Sequence, residues 1–310
     1  MVNKMFFAQN IMIEIPSPPL NPLIKNWNGV SISSEGTYLS AVPASTSDLY
    51  TSSNRGNSWI DRVYSQSWYR IGVSGNGQYQ AAVARVGYIY VSSDYGVSWS
   101  SKSISNYWTD IHVSSTGQYM TALSDSSNAY VYVSSDYGNT WTQKISSKLW
   151  EGIWISPSGQ YQLATVFQNS NNIYKSDDYG STWTLLASIN TLLRGISASS
   201  NMQYIIVAGY TFSYLSSDYG TTFSIAKSAN PNYMRTSMST DGKYQGIAAF
   251  GDYLYISSDY GNTWNSRIGS KNWTDISISS DGKYMVACVS NEYIYISWDY
   301  GNNWYSTGPV

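Results

Sequence analysis

The sequence predicts an all-β fold, a seven-bladed β-propeller with four antiparallel strands per blade, and three observations carry that expectation. Two motifs recur seven times in constant phase, the apolar residues between them alternate with a period of two, and no stretch shows the 3.6-residue periodicity of an amphipathic helix. Units of this length cannot bury a core alone, so they pack side by side around an axis.

The first motif, S-x-D-x-G-x-x-W, is complete at 92–99, 134–141, 176–183, 257–264 and 297–304. The copy at 52–59 has Asn54 in place of the aspartate, and the copy at 216–223 ends in Phe223. The remaining copies place Asp94, Asp136, Asp178, Asp218, Asp259 and Asp299 at the third position. Their glycines, Gly56, Gly96, Gly138, Gly180, Gly220, Gly261 and Gly301, are spaced by 40, 42, 42, 40, 41 and 40 residues. The second motif, W-x-x-I-x-V-S-x-x-G-x-Y, precedes each at 27–38, 68–79, 108–119, 150–161, 193–204, 233–244 and 273–284. Its tyrosine is present in all seven copies, whereas Leu193 and Tyr233 replace the tryptophan in two and Met202 replaces one turn glycine.

Each unit resolves into four short strands, for which the third serves as example. The first strand covers 111–114 and alternates apolar with small polar residues; a Ser-Thr-Gly-Gln turn leads to the second at 119–123; the third is the Tyr-Val-Tyr-Val run at 130–133. The aspartate turn then leads to a polar fourth strand at 141–145. In that turn the short Ser and Asp side chains bond nearby backbone amides, Gly supplies a positive φ, and Trp folds back as an apolar plug. Units starting near 27, 68, 108, 150, 193, 233 and 273 thus make residues 27–310 one propeller, preceded by an N-terminal segment, 1–26.

Composition narrows the function classes. Among 310 residues, aromatics reach 16%, with 30 Tyr and 13 Trp against 6 Phe, while charged residues make up only 12%. The net charge is −2 and the basic residues are scattered, so neither nucleic acid nor an anionic membrane surface is an expected partner. One cysteine, Cys288, and one histidine, His112, exclude a disulfide framework and zinc sites of the paired type, and no cofactor is expected. No apolar run reaches a membrane span, and the start carries Asn10 and Glu14 within its hydrophobic stretch, unlike a signal peptide. The expected location is the cytoplasm, or a virion or assembly.

The S-x-D-x-G-x-x-W segments resemble the Asp-box, or BNR repeat, of the sialidase, sortilin and photosystem II assembly factor-like propellers, over about nine tenths of the chain. The resemblance implies a propeller with Asp-box turns between the third and fourth strands. In that superfamily the box is a structural turn remote from the catalytic centre, so it implies little about function.

In a propeller the first strand lines the central channel. With its Ile and Val facing neighbouring blades, the opposite parity turns Arg70, Asp110, Gly152, Arg235 and Asp275 toward one mouth, with His112 and Trp154 deeper among serines. Arg70 beside Asp110, and Arg235 beside Asp275, read either as a ligand-recognising mouth or as salt bridges between adjacent units. A second ring, Trp27, Trp68, Trp108, Trp150, Tyr233 and Trp273, enters these strands on the face opposite the aspartate turns. It reads either as core between blades or as a sugar-stacking surface of a multivalent lectin.

The sialidase requirements are poorly met: Tyr69-Arg70-Ile71-Gly72 lacks the proline of the early sialidase motif, and the even spacing leaves no room for catalytic insertions. A glycoside hydrolase using two of Asp110, Glu151 and Asp275, with Arg70 and Arg235, is the stronger enzymatic alternative. The favoured reading is a non-enzymatic binding or structural module for a glycan or protein partner, through the face with the strand-entry aromatics. The apolar run 5–15, or residues 23–26, is expected to complete the last blade, since only six residues follow Trp304, the alternative being an arm that docks on a partner. Deleting residues 1–22 is therefore expected to lower Tm substantially in a thermal melt; an unchanged Tm would refute closure.

Overall fold

The computed structural model describes residues 22–62, 64–125, 129–146, 148–167, 171–228 and 232–310, which contain strands and turns but no helix. The fourth unit shows the ground plan: Trp150–Ile155, Gln162–Val166, Asn172–Ser176 and Thr184–Ser188 pair in chain order as an antiparallel sheet. The first and fifth units do the same. The second and third units merge into one eight-stranded sheet because Ser100–Val113 runs unbroken as the outer strand of one and the inner strand of the next. Asn265–Ile278 joins the sixth and seventh units in the same way.

The chain closes on itself. Val30 N donates to Asp275 Oδ2 at 3.1 Å, Thr274 Oγ1 to the Trp27 carbonyl at 3.0 Å, and Trp59 Nε1 to Thr307 Oγ1 at 3.1 Å, so the first unit packs against the last. The Leu23 amide donates to the Pro309 carbonyl at 2.6 Å and Lys25 bridges to Glu292, which ties 23–25 to the final unit; the apolar run 5–15 lies outside the described residues. A closed ring of antiparallel sheets is a β-propeller.

Burial falls from the axis outward. Second strands such as Gln80–Ala84 and Ile205–Gly209 are buried throughout, whereas the outer Thr184–Ser188 is largely exposed. Where each inner strand begins, the register slips by one residue: Trp68 pairs with Ala84 while Arg70 pairs with Val83, and Trp27/Gly29, Trp108/Asp110 and Trp273/Asp275 behave alike. Such a bulge resets the alternation of a strand. Trp68 therefore joins Ile71 in the layer between sheets while Arg70 turns to the axis.

This corrects the lectin reading of the strand-entry aromatics. Trp27, Trp108, Trp150 and Trp273 are 0% exposed and Trp68 is 1% exposed, which leaves no indole face for a sugar. Each instead meets the third-strand tyrosine of its own unit edge to face, as in Trp108–Tyr132 at 5.0 Å and Trp150–Tyr174 at 5.4 Å. The side chain of Tyr233 lies outside the described residues.

The S-x-D-x-G turns share one set of bonds. In 92–99, Ser92 Oγ donates to Asp94 Oδ1 at 2.8 Å and accepts the Gly96 amide at 2.9 Å, while Asp94 accepts the amide and hydroxyl of Ser98 at 2.9 and 2.6 Å. Burial alone would raise the Asp94 carboxyl, but these bonds outweigh it and hold it below the usual carboxylate range. The residue before the glycine is left-handed in every copy, with Tyr95 at φ 62° and Tyr137 at 62°. For a tyrosine this costs about 1 kcal/mol. The offset is a clasp onto the preceding unit: Tyr95 packs on Tyr38 at 4.8 Å, Tyr137 on Tyr79 at 4.7 Å and Tyr179 on Tyr119 at 4.6 Å. At the chain's seam Arg55 takes the tyrosine's place, its guanidinium 5.1 Å from the Tyr284 ring centroid.

Trp108→Ala is expected to cost about 3–5 kcal/mol in urea unfolding, the penalty for emptying a buried aromatic site. A loss below about 0.5 kcal/mol, as at a surface position, would contradict the packing.

Candidate functional site

The inner strands surround a cavity of about 180 Å³ lined by Arg70, Asp110, His112, Trp154, Arg235 and Asp275 among serines. At the end away from Arg70 and Arg235 the turns after the inner strands are strung together by backbone bonds. Ser34 donates to Gly75, Gly75 to Ser115 and Ser115 to Pro157, each at 2.9 Å, and the string resumes from Ser200 to Thr240 to Ser280 to Ser34. Pro157 has no amide hydrogen, so the link from Pro157 to Ser200 is missing.

An inner strand has a sheet neighbour on one side only, which leaves amides along its other edge in need of acceptors. Side chains of the preceding unit supply them. Asp110 Oδ2 accepts Ile153 N at 3.1 Å, Asp275 Oδ2 accepts Val30 N at 3.1 Å, and His112 Nδ1 accepts Ile155 N at 3.1 Å. Ser31, Ser237 and Ser277 serve Val73, Ile278 and Ile32 in the same way. The second oxygens of Asp110 and Asp275 accept the amides of Ile111 and Ile276, both at 2.9 Å.

The expected salt bridges between adjacent units are therefore replaced by a different arrangement. Arg235 Nη2 approaches Glu151 Oε1 at 3.6 Å, two units away across the mouth, rather than Asp275. Arg70 donates Nη1 to the carbonyls of Asn28 and Tyr69 at 2.7 and 2.9 Å rather than to Asp110. It lies over the Tyr69 ring at 4.6 Å, and Arg85 lies over the same ring at 4.8 Å. Arg194 lies over Phe167. Aromatic faces and backbone carbonyls thus hold the guanidinium groups. Arg70 Nε, Arg194 Nε, and Arg235 Nε and Nη2 are buried without hydrogen-bond partners.

Burial dominates the protonation of the cluster. It pushes the Asp275 carboxyl up to about 6 against the pull of Arg70 and Arg235, and it raises Asp110 against Arg235 and Arg70. It would lower Arg235, but Asp110, Glu151, Tyr69 and Asp275 outweigh it and the net direction is up. Burial brings His112 down to about 4, so the ring is neutral at pH 7, as an Nδ1 acceptor must be.

The structure thus brings Arg70, Asp110, Glu151, Arg235 and Asp275 to one end of the channel, where they are largely buried, with His112 and Trp154 lining the cavity beyond them. Trp154 also packs into the apolar cluster of Leu163, Leu193 and Ile196, and only 7% of it is exposed. Asn54, Asp94, Asp136, Asp178, Asp218, Asp259 and Asp299 accept bonds within their own turns at the opposite end. Sequence reasoning missed Tyr69 as a platform. It also missed the exposed aromatics of the second-to-third-strand turns and the links beside them: Tyr88, Tyr107, Tyr210, Phe250 and Tyr253, which are 39–51% exposed. Pairing of Arg70 with Val83 and of Arg235 with Ala248 puts those turns at the arginine end. The available signal was an aromatic in the turn where neighbouring units carry small or polar residues.

No protein-family profile and no characterised protein sequence matches the chain. Solved structures share its fold. YCF48 from Cyanidioschyzon merolae superposes with a TM-score of 0.68 at 14% identity, over 92% of this chain and 98% of that protein. YCF48 bound to D1 peptide gives 0.67 at 14%, over 92% and 99%. Hydrazine synthase of Kuenenia stuttgartiensis gives 0.74 at 13%, over 96% and 100%. An ancestral GH74 enzyme reaches 0.72 at 16%; the match covers 93% of this chain but 47% of that enzyme. At these identities the likeness establishes the propeller fold alone.

Two channel groups titrate in opposition. Between about pH 4 and 6 folded Asp275 holds a proton that the unfolded chain has lost, so its contribution to stability falls as pH rises. His112, at about 4 folded against 6.5 unfolded, contributes stability that grows with pH over its window. His112→Asn keeps an acceptor for Ile155 N and removes the second effect. Its Tm, measured in half-unit steps, should decline from pH 4 to 6 relative to wild type; a curve parallel to wild type would refute the assignment.

Proposed function

We propose that the chain is a seven-bladed propeller with Asp-box turns, acting as a non-enzymatic module that binds a protein partner on the face at the arginine end of the channel. The observation that carries this reading is the group of exposed aromatics at that end, Tyr88, Tyr107, Tyr210, Phe250 and Tyr253. Exposed aromatics around a polar centre suit peptide recognition, since a tyrosine adds contact area at small entropic cost. That a protein of this fold, YCF48, has been captured with a D1 peptide adds support.

Burial of the entry tryptophans weakens the glycan alternative. The hydrolase alternative is weakened by the channel carboxylates: each oxygen of Asp110 and of Asp275 already accepts a backbone amide. A carboxyl whose two oxygens are both committed to backbone amides is held in place and not presented to a substrate.

A random peptide display library panned on the purified protein tests the reading. Enriched peptides should bind wild type and lose at least tenfold in affinity to a Tyr88→Ser, Tyr107→Ser, Phe250→Ser, Tyr253→Ser variant of unchanged far-UV spectrum. Failure to enrich any peptide, or binding that the variant retains, would overturn the reading.

A further inference from the structure

The end of the channel away from Arg70 and Arg235 has an aromatic surface of its own. The residue before the glycine of each S-x-D-x-G turn projects there: Tyr95, Tyr137, Tyr179, Tyr219, Tyr260 and Tyr300, which are 36–55% exposed. Five of these rings lie at 28–34° to the tyrosine of the preceding unit with centroids 4.6–5.0 Å apart, as in Tyr204–Tyr260 and Tyr244–Tyr300. A ring that packs one face on its neighbour and remains this exposed turns its other face outward. The Tyr95 amide donates to the Gln78 carbonyl at 3.0 Å and the Tyr137 amide to the Gln118 carbonyl at 3.1 Å, so the rings form a belt around the turns strung along the axis.

The turns at this end are acidic. Asp94, Asp136, Asp178, Asp218, Asp259 and Asp299 are joined by Glu35, Asp241 and Asp281, against Arg55, Lys243 and Lys283 on the same turns. The hydroxyl and amide of Thr222 bring the Asp218 carboxyl down to about 2, so it is ionised across the neutral range. The cations already present show where positive charge seats. Arg55 stands at the position that tyrosine fills in the other units, and its guanidinium lies 5.1 Å from the Tyr284 centroid. Lys283 lies over the same ring at 5.3 Å, and Lys243 over Tyr244 at 5.3 Å. At the seam, then, the belt accepts a guanidinium in place of a phenol. An aromatic face amid excess acid attracts a cation through both the ring quadrupole and the surrounding field, and a planar guanidinium stacks on it best. A neutral sugar would gain nothing from the acids, and an anionic partner would be repelled.

We propose that this belt is a docking surface for an arginine-rich segment of a partner protein, whose guanidinium groups stack on the outward faces of the turn tyrosines as Arg55 stacks on Tyr284. It is a second surface, at the opposite end of the molecule from the exposed aromatics of the proposed function, and neither depends on the other.

The probe is an acetylated, amidated peptide of alternating arginine and glycine, titrated at low ionic strength while the amides of Gly96, Gly138 and Gly180 are followed by NMR. It should bind saturably and shift those amides. Citrulline in place of arginine keeps the planar shape without the charge and should weaken binding about tenfold, as should raised salt. Two variants separate rings from charge. Tyr95→Asn, Tyr137→Asn, Tyr179→Asn removes three rings in favour of a residue that adopts positive φ readily, and should weaken the probe about fivefold. Asp241→Asn, Asp281→Asn removes two charges and leaves the turns intact, since Asn76 and Asn201 make the same turn bonds in other units. It should weaken the probe about twofold at low salt and have no effect at high salt. Absence of saturable binding, equal binding of the citrulline peptide, or full affinity in the Tyr→Asn variant overturns the proposal, as does a neutral oligosaccharide that shifts the same glycines when the peptide does not. The Tyr88→Ser, Tyr107→Ser, Phe250→Ser, Tyr253→Ser variant should bind the probe as wild type does. Loss of binding in that variant would overturn the belt and place the peptide at the arginine end instead.

Discussion

Amides along the axis-facing edge of each inner strand have no strand beyond them, and much of the centre of this molecule follows from that constraint. A sheet edge in a solvent-poor channel must find acceptors, and the acceptors come from the unit behind it: Ser31 for Val73, His112 for Ile155, Asp275 for Val30. Serines dominate because a small hydroxyl reaches the neighbouring amide without filling the channel. Where an aspartate takes the role, its charge is committed to backbone. The nearby arginines are then denied the partners that their sequence positions suggest, and they settle on carbonyls and aromatic rings with N–H bonds to spare.

A second constraint acts between sheets, and aromatics meet it in two registers. Toward the core, a buried tryptophan meets a tyrosine edge to face within each unit that has one. At the turn end, a tyrosine at positive φ reaches to the tyrosine of the preceding unit. This division of labour absorbs much of the Tyr and Trp excess. It also explains why the chain holds together with so few charges: successive units are joined by ring contacts and by hydroxyl-to-amide bonds.

The repeat made strands and turns readable because the period and the turn residues are local properties. The glycine spacing located every S-x-D-x-G turn, and the alternation of Ile and Val placed Arg70, Asp110, Arg235 and Asp275 on the axis. Two things escaped for physical reasons. The bulge between Trp68 and Arg70 adds a residue that no side-chain pattern announces, so an indole that shares parity with the channel residues faces the core instead. The approach of Arg235 to Glu151 joins units four and six, and adjacency in the chain says nothing about partners across a narrow channel.

Pro157 interrupts the ring of turn-to-turn bonds at one joint. The joint between the chain's ends is reinforced: Trp59 reaches Thr307, Arg55 covers Tyr284, and Ser280 donates to Ser34. Between the fourth and fifth units the turn-to-turn bond is absent, and the fifth unit has Leu193 for the entry tryptophan and Met202, at φ 63°, for the turn glycine. On the mouth side the same joint is held, since Thr165 Oγ1 donates to the Arg194 carbonyl at 2.8 Å. The interruption thus falls at a joint that the chain itself crosses, whereas the joint between its ends, which no covalent link spans, is the one with the complete set of bonds.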